Sequence, residues 1–153
     1  MSAIYMKAKG VMDVLKPEPL RVGLDVVLVS RVEQMYNKRP RQFVQRFFGE
    51  DEREYCLAPS RPACRFQRFA GRIAAKEAVM KVLGQGWPRL SWTDIQIVSD
   101  GSGRPVVELR GKALEIMDRL GLASIQVSIT HDGDIAAAVA VGISRMVDSD
   151  GLN

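Results

Sequence analysis

The chain has 153 residues, 46% of them hydrophobic and 26% charged, with 22 Lys and Arg against 18 Asp and Glu for a net charge of +4. That length and apolar content suit one globular domain with a genuine core, and there is no internal repeat or low-complexity tract. The basic balance favours an acidic partner or a phosphate-bearing ligand. Met1 to Lys16 mixes Lys7, Lys9 and Asp13 with apolar residues and has no sustained hydrophobic segment of the kind an export signal needs. The apolar run Ile135 to Val141 is too short to span a bilayer. Cys56 and Cys64 lack a CxxC spacing and read as free thiols, so a cytoplasmic, reducing location with no membrane partner is the expectation.

In chain order, residues 1–19 read as an N-terminal extension ending in Pro17-Glu-Pro19. Leu20 to Val29 is a dense, Val-rich run expected as a buried strand. Ser30, with Glu33 three residues on, predicts a capping box that opens a basic helical region reaching Phe48, with a break near Pro40. A short helix with an acidic start covers Gly49 to Leu57. After a break at Pro59 to Pro62, a long helix runs from about Ala63 to Leu83 and closes at Gly84. Trp92 to Ser99 and Pro105 to Leu109 read as strands joined by the Asp100-Gly-Ser-Gly103 turn. Lys112 to Leu120 is an amphipathic helix, and Ile125 to Thr130 and Ile135 to Ile143 are strands around His131-Asp-Gly-Asp134. This order predicts one α+β domain over residues 20–147, a largely antiparallel sheet packed against a long helix, with a tail at 148–153.

Two carboxylates sit where core residues belong. On the long helix, Phe66, Phe69, Ile73, Met80 and Leu83 make one apolar face, and Glu77 falls inside it. A buried carboxylate must be protonated, ion-paired or bound to a metal. Asp25 stands in Val22-Gly-Leu-Asp-Val-Val-Leu-Val29, where Asp is a poor strand residue. Taken alone it reads equally as a carboxylate bonded to strand-end backbone or to an arginine. Together, two such carboxylates suit Mg²⁺, which takes one or two carboxylates plus water and substrate phosphates. Arg65, Arg68, Arg72 and Lys76 form a basic stripe beside the apolar face, and Lys81 lies one turn after Glu77, placed for an i,i+4 ion pair. Ala70, Gly71, Ala74, Ala75 and Ala78 form a small surface suited to close approach of a backbone or a ligand. Gly84-x-Gly86 is too short for a dinucleotide fingerprint, and no Walker motif or zinc ligand set is present.

Gly23-Leu-Asp-Val-Val27, Arg68-Phe-Ala-Gly-Arg-Ile-Ala-Ala-Lys-Glu-Ala78 and Val127-Ser-Ile-Thr-His131, followed by Ala136-Ala-Ala138, together resemble the holo-acyl-carrier-protein synthase family of small phosphopantetheinyl transferases. The resemblance runs from about Arg21 to Arg145 and implies a homotrimer with active sites at subunit interfaces. It implies transfer of 4′-phosphopantetheine from coenzyme A to a serine of an acidic acyl carrier protein, with release of 3′,5′-ADP. It implies Asp25 and Glu77 as Mg²⁺ ligands, with Glu77, directly or through a metal-bound water, as the base. Lys81, Arg72, Lys76, Gly84 and the Gly103-Arg-Pro105 turn are implied to meet coenzyme A, with Thr130 and His131 reaching it from a neighbouring protomer. Arg31 is implied to contact the carrier. Lys38, Arg39, Arg41 and Arg46 on the same basic helical region could dock its acidic helix. One departure is Gly49, where the family usually has threonine, which predicts a weaker start to the short helix. The alternative is a basic nucleic-acid-binding module; it lacks a recognised motif and leaves the two carboxylates without a role.

Overall fold

The computed structural model describes residues 20–58 and 61–145. The expected extension at 1–19, the tail at 148–153 and residues 59 and 60 of the proline break lie outside the described residues. The elements are β1 (Leu20–Leu28), α1 (Val29–Lys38), α2 (Pro40–Phe47), α3 (Glu50–Leu57), α4 (Pro62–Leu83), β2 (Ile95–Ser99), β3 (Pro105–Leu109), α5 (Gly111–Arg119), β4 (Leu122–Asp132) and β5 (Ile135–Ser144). Trp92–Asp94 forms one 3-10 turn, where the sequence suggested the start of a strand. Both sheets are antiparallel: a three-stranded sheet in the order β1-β5-β4, and a β2-β3 hairpin. The α+β architecture is the one expected.

Helix α4 lies across one face of the larger sheet, and the side chains at the contact are small. A Cβ added to Gly23 of β1 would fall 2.0 Å from the Ala78 carbonyl oxygen, and one at Gly142 of β5 would fall 2.6 Å from Val82. Ala136, Ala138 and Ala140 of β5 are buried beneath the helix. On the helix side, a Cβ at Gly71 would fall 2.9 Å from Ile129 of β4. Most of the small surface of α4 is therefore covered within the chain by its own sheet, while Gly71 also borders a cleft. One continuous apolar cluster fills the interior, with the Phe43 ring against those of Phe47, Phe48 and Phe69.

Strand alternation puts Leu20, Val22, Leu24, Val26 and Leu28 on the opposite face of β1, and each is 49 to 64% exposed. The expectation of a strand buried on both faces thus holds for one face only. Ile135 of β5 is 49% exposed beside them.

Several local expectations are revised. Ser30 is not the cap of α1: the helix starts at Val29 with Leu28 as N-cap and no side-chain cap bond. The Ser30 N–H and Oγ each donate to Asp134, at 2.7 Å, so a carboxylate from the β4–β5 turn replaces the local capping box. The reason is that β1 runs directly into α1, leaving Ser30 inside the first turn. At α3, Gly49 donates its N–H to Glu52 Oε2 at 2.9 Å, so half of a capping box survives without a hydroxyl. A Cβ at Gly49 would fall 2.4 Å from Gln96 Oε1, so the glycine makes room for that buried amide. Gly84 closes α4 at φ +69, in the left-handed region that glycine adopts without strain. Cys56 is buried, and that burial pushes its thiol up to about 12, so it packs as an unreactive group.

Replacing Gly23 by Ala forces α4 off β1. We expect a loss of about 1–3 kcal/mol or more in unfolding free energy, measured by denaturant titration, with a fall in any activity that depends on the β1–α4 contact.

Candidate active site

The β1–α4 contact brings the two sequence anomalies together. Asp25 lies two residues after Gly23 on the same face of β1, and Glu77 precedes Ala78 on α4. The Glu77 carboxyl faces Asp25, and it is pushed up to about 7 from its ordinary 4.5, first by burial and then by the adjacent Asp25 carboxylate. Lys81 and Arg31 pull in the other direction. Two carboxyls can share a contact only with a proton or a cation between them. Asp25 Oδ2 is buried and accepts no hydrogen bond from any donor.

Lys81 crosses from α4 to β1. Its ammonium donates to Asp25 Oδ1 at 3.0 Å and to the Leu24 carbonyl oxygen. It thus pairs between elements, with Asp25, rather than along the helix with Glu77 as the i,i+4 spacing suggested. Among the described residues no group of three or more His, Cys, Asp and Glu side chains could hold a metal. A two-carboxylate set with one unfilled, buried oxygen fits a hard divalent cation that completes its shell from water and phosphate.

Glu77 forms the boundary between two clefts. One, of about 400 Å³, is lined by Glu77, Met80, Lys81, Gly84, Trp87 and Trp92. The other, of about 300 Å³, includes Val26, Arg31, Met35, Phe47, Glu77 and Trp92. Arg31 therefore stands beside the carboxylate pair as well as on the basic face. Arg46 of α2 sits over the Trp87 ring at 4.6 Å, and Arg41 lies at the start of the same helix. Neither tryptophan stands out in the sequence, where Trp92 reads only as the start of a strand.

A third cleft, of about 190 Å³, gathers Arg72, Ser99, Gly103, Pro105 and His131. Arg72, Gly103, Pro105 and His131 are expected coenzyme residues, from three separate stretches of chain, and Ser99 joins them. Arg72 is buried, with its guanidinium 3.8 Å over the Tyr55 ring and its Nη2 donating to Ser99 Oγ at 3.1 Å. His131 pairs with Ala136 inside the β4–β5 ladder, so it belongs to the strand rather than to the turn after it. Thr130 is not in this cleft: strand alternation turns it to the opposite sheet face, where it pairs with Ala137.

Lys76 departs furthest from expectation. Its ammonium is wholly buried and donates to Glu52 Oε2 at 2.7 Å, to the Phe47 carbonyl at 2.7 Å and to the Trp92 carbonyl at 2.9 Å. With every proton engaged inside the protein, it has none for a coenzyme phosphate. The signal for its partner was present in the sequence only as the position of Glu52, three residues after Gly49.

The model of the 4′-phosphopantetheinyl transferase superfamily matches residues 21–140. The chain belongs to this superfamily. It is 44% identical over 118 residues to a holo-acyl-carrier-protein synthase of Gloeobacter violaceus, covering 77% of this chain and 88% of that one. Among solved structures, the holo-ACP synthase of Plasmodium yoelii superposes with a TM-score of 0.72 at 27% identity, covering 82% of this chain and 95% of the other. The holo-acyl-carrier-protein synthase of Helicobacter pylori, solved in complex with coenzyme A, gives 0.67 at 30% identity, covering 79% and 98%. The resemblance read from three sequence motifs is thereby established as family membership. The described residues of this transferase contain no helix long and apolar enough to cross a membrane.

Because Glu77 holds its proton more tightly when folded, its contribution to stability is full below about 4.5 and is lost as pH rises through about 7. In metal-free buffer the melting temperature should fall across that window, and Glu77→Gln should flatten the profile. A wild-type profile matching that of the variant would contradict the close approach of the two carboxyls.

Proposed function

We propose that this chain transfers 4′-phosphopantetheine from coenzyme A to a serine hydroxyl of an apo acyl carrier protein, leaving the holo carrier and 3′,5′-ADP. The observation that carries this reading is the Asp25–Glu77 pair, with an unfilled carboxylate oxygen, beside Lys81 in an open cleft. Asp25 and Glu77 would hold Mg²⁺. When bound, the ion supplies charge neutralisation at the coenzyme pyrophosphate.

The protein's own residues do the rest. Phosphoryl transfer needs positioning and charge stabilisation more than covalent chemistry. Lys81, 53% exposed at its side chain, is free to turn from Asp25 to the phosphate whose charge grows as 3′,5′-ADP leaves. Gly84 closes α4 on the same cleft and leaves space for the coenzyme. Glu77 stands on the wall shared by both clefts, where it would accept the serine proton. Arg31, Arg41 and Arg46 would meet the acidic carrier, raising encounter rate more than final affinity, with a strong salt dependence. The nucleic-acid alternative gives the two carboxylates no role.

The cleft with Arg72, Gly103, Pro105 and His131 shares no lining residue with the Glu77 clefts. Both sets serve one coenzyme if the first comes from a neighbouring protomer. The exposed apolar face of β1 supports such an assembly, because a row of five large side chains in water favours a covering partner. We therefore read the protein as a homotrimer with sites at its subunit interfaces, and Thr130 as facing that interface rather than the coenzyme. Residues 20–147 form the transferase domain in this reading, and the free thiols of Cys56 and Cys64 fit a cytoplasmic setting.

Incubating the protein with apo carrier, coenzyme A and Mg²⁺ should raise the carrier's mass by one phosphopantetheine, and chelation of the metal should prevent it. An unchanged carrier mass, with a known transferase active in parallel, would overturn the reading. Asp25→Asn and Glu77→Gln should each abolish the mass gain while keeping a cooperative melt. Leu24→Glu should convert a trimer to monomer by light scattering and remove activity with it; a wild-type monomer would contradict the assembly.

A further inference from the structure

Lys76 immediately precedes Glu77, yet its ammonium enters a buried junction rather than a cleft. Glu52 completes that junction. Its Oε2 accepts from Lys76 and from the Gly49 N–H, and its Oε1 accepts from the Ile97 N–H at 2.9 Å. Lys76 in turn donates to the Phe47 and Trp92 carbonyls. The pair thus joins the end of α2, the start of α3, the 3-10 turn, β2 and α4.

Phe47 and Trp92 are the two aromatics whose backbone Lys76 holds. Their rings pack with centroids 4.8 Å apart. Both line the cleft that contains Glu77 and Arg31, and Trp92 also lines the Lys81 cleft. Phe47 further borders the surface of Met35, Lys38 and Arg46. A buried ion pair is seldom the most stable filling of a core, since an apolar pair of similar volume often does as well. What the apolar pair cannot do is fix two carbonyls and two N–H groups at defined points around one helix position.

We propose that Glu52 and Lys76 are positioning residues for the transfer: their ion pair sets where Phe47 and Trp92, and with them the basic end of α2, stand relative to Glu77. This rests on the transferase reading given above. The acceptor serine arrives on a separate protein, so its placement depends on the wall it docks against. A displacement of about 1 Å in such a contact costs about 100-fold in rate. Asp25, Lys81 and Gly84 lie outside the junction, which reaches the coenzyme cleft only through Trp92, so its larger effect falls on the carrier.

The test compares full-length wild type, Lys76→Met, Glu52→Gln and the double variant. Three quantities are read: melting temperature, affinity for coenzyme A with Mg²⁺ by calorimetry, and kcat and KM for apo carrier by mass spectrometry. We expect kcat/KM for carrier to fall about 10- to 100-fold and coenzyme affinity to change far less. The double variant should regain melting temperature over the singles, because no charge is left unpaired, yet its kcat/KM should stay low. Activity that recovers with stability in the double variant would overturn the proposal by making the pair purely structural. A parallel loss of coenzyme affinity would overturn it by making Lys76 a coenzyme ligand. Should Lys76→Met not fold, the double variant and Glu52→Gln decide between the same outcomes. Absence of transfer by the wild-type protein is a separate result, and overturns the transferase reading itself.

Discussion

The site depends on one missing atom, the Cβ of Gly23. Without it the backbone of β1 comes against the Ala78 carbonyl on α4. That approach sets Asp25 beside Glu77, and it lets Lys81 reach from the helix to the strand. Two carboxylates held this close are unstable in isolation, and the protein relieves the conflict with the Glu77 proton and the Lys81 ammonium. In the proposed function a divalent cation would relieve the same conflict more completely, and bring a phosphate with it. The proposed function thus follows from a packing contact: tight helix-on-sheet geometry creates an electrostatic demand that a cation would satisfy.

The same helix carries a second, differently treated charge. Glu77 is half-buried beside open clefts, while Lys76, one residue earlier, is sealed with Glu52 among backbone partners. Burial lowers the Lys76 ammonium's pKa, while its Glu52 partner acts to raise it. In the proposed function, adjacent positions on α4 divide the work: Lys76 fixes the surrounding elements, and Glu77 faces the chemistry. The basic arginines of α1 and α2 lie beyond the wall that this junction holds.

Much of this was legible in the sequence. The order of strands and helices followed from apolar periodicity and from glycine and proline punctuation, and the Asp25 and Glu77 anomalies followed from charges in apolar runs. Other features could not be read in this way, because they are non-local. Asp134 caps α1 from a distant turn, and Glu52 finds Lys76 across three elements. A basic stripe inferred from helical spacing treats Lys76 and Arg68 alike, although the fold buries one and leaves the other partly open. Likewise, Thr130 and His131 are neighbours in sequence, but strand alternation sends them to opposite faces. The apolar β1 run reads as doubly buried, whereas in the protomer one of its faces is open to solvent.

The central claim is that Asp25 and Glu77 form a divalent-metal and phosphate site. It is tested most directly by anomalous scattering from crystals grown with coenzyme A and Mn²⁺ in place of Mg²⁺. The account predicts an anomalous peak bridging the two carboxylates, with the coenzyme pyrophosphate in its shell and Lys81 turned from Asp25 toward phosphate. Bound coenzyme with no peak there, and with the Lys81–Asp25 pair intact, would contradict it.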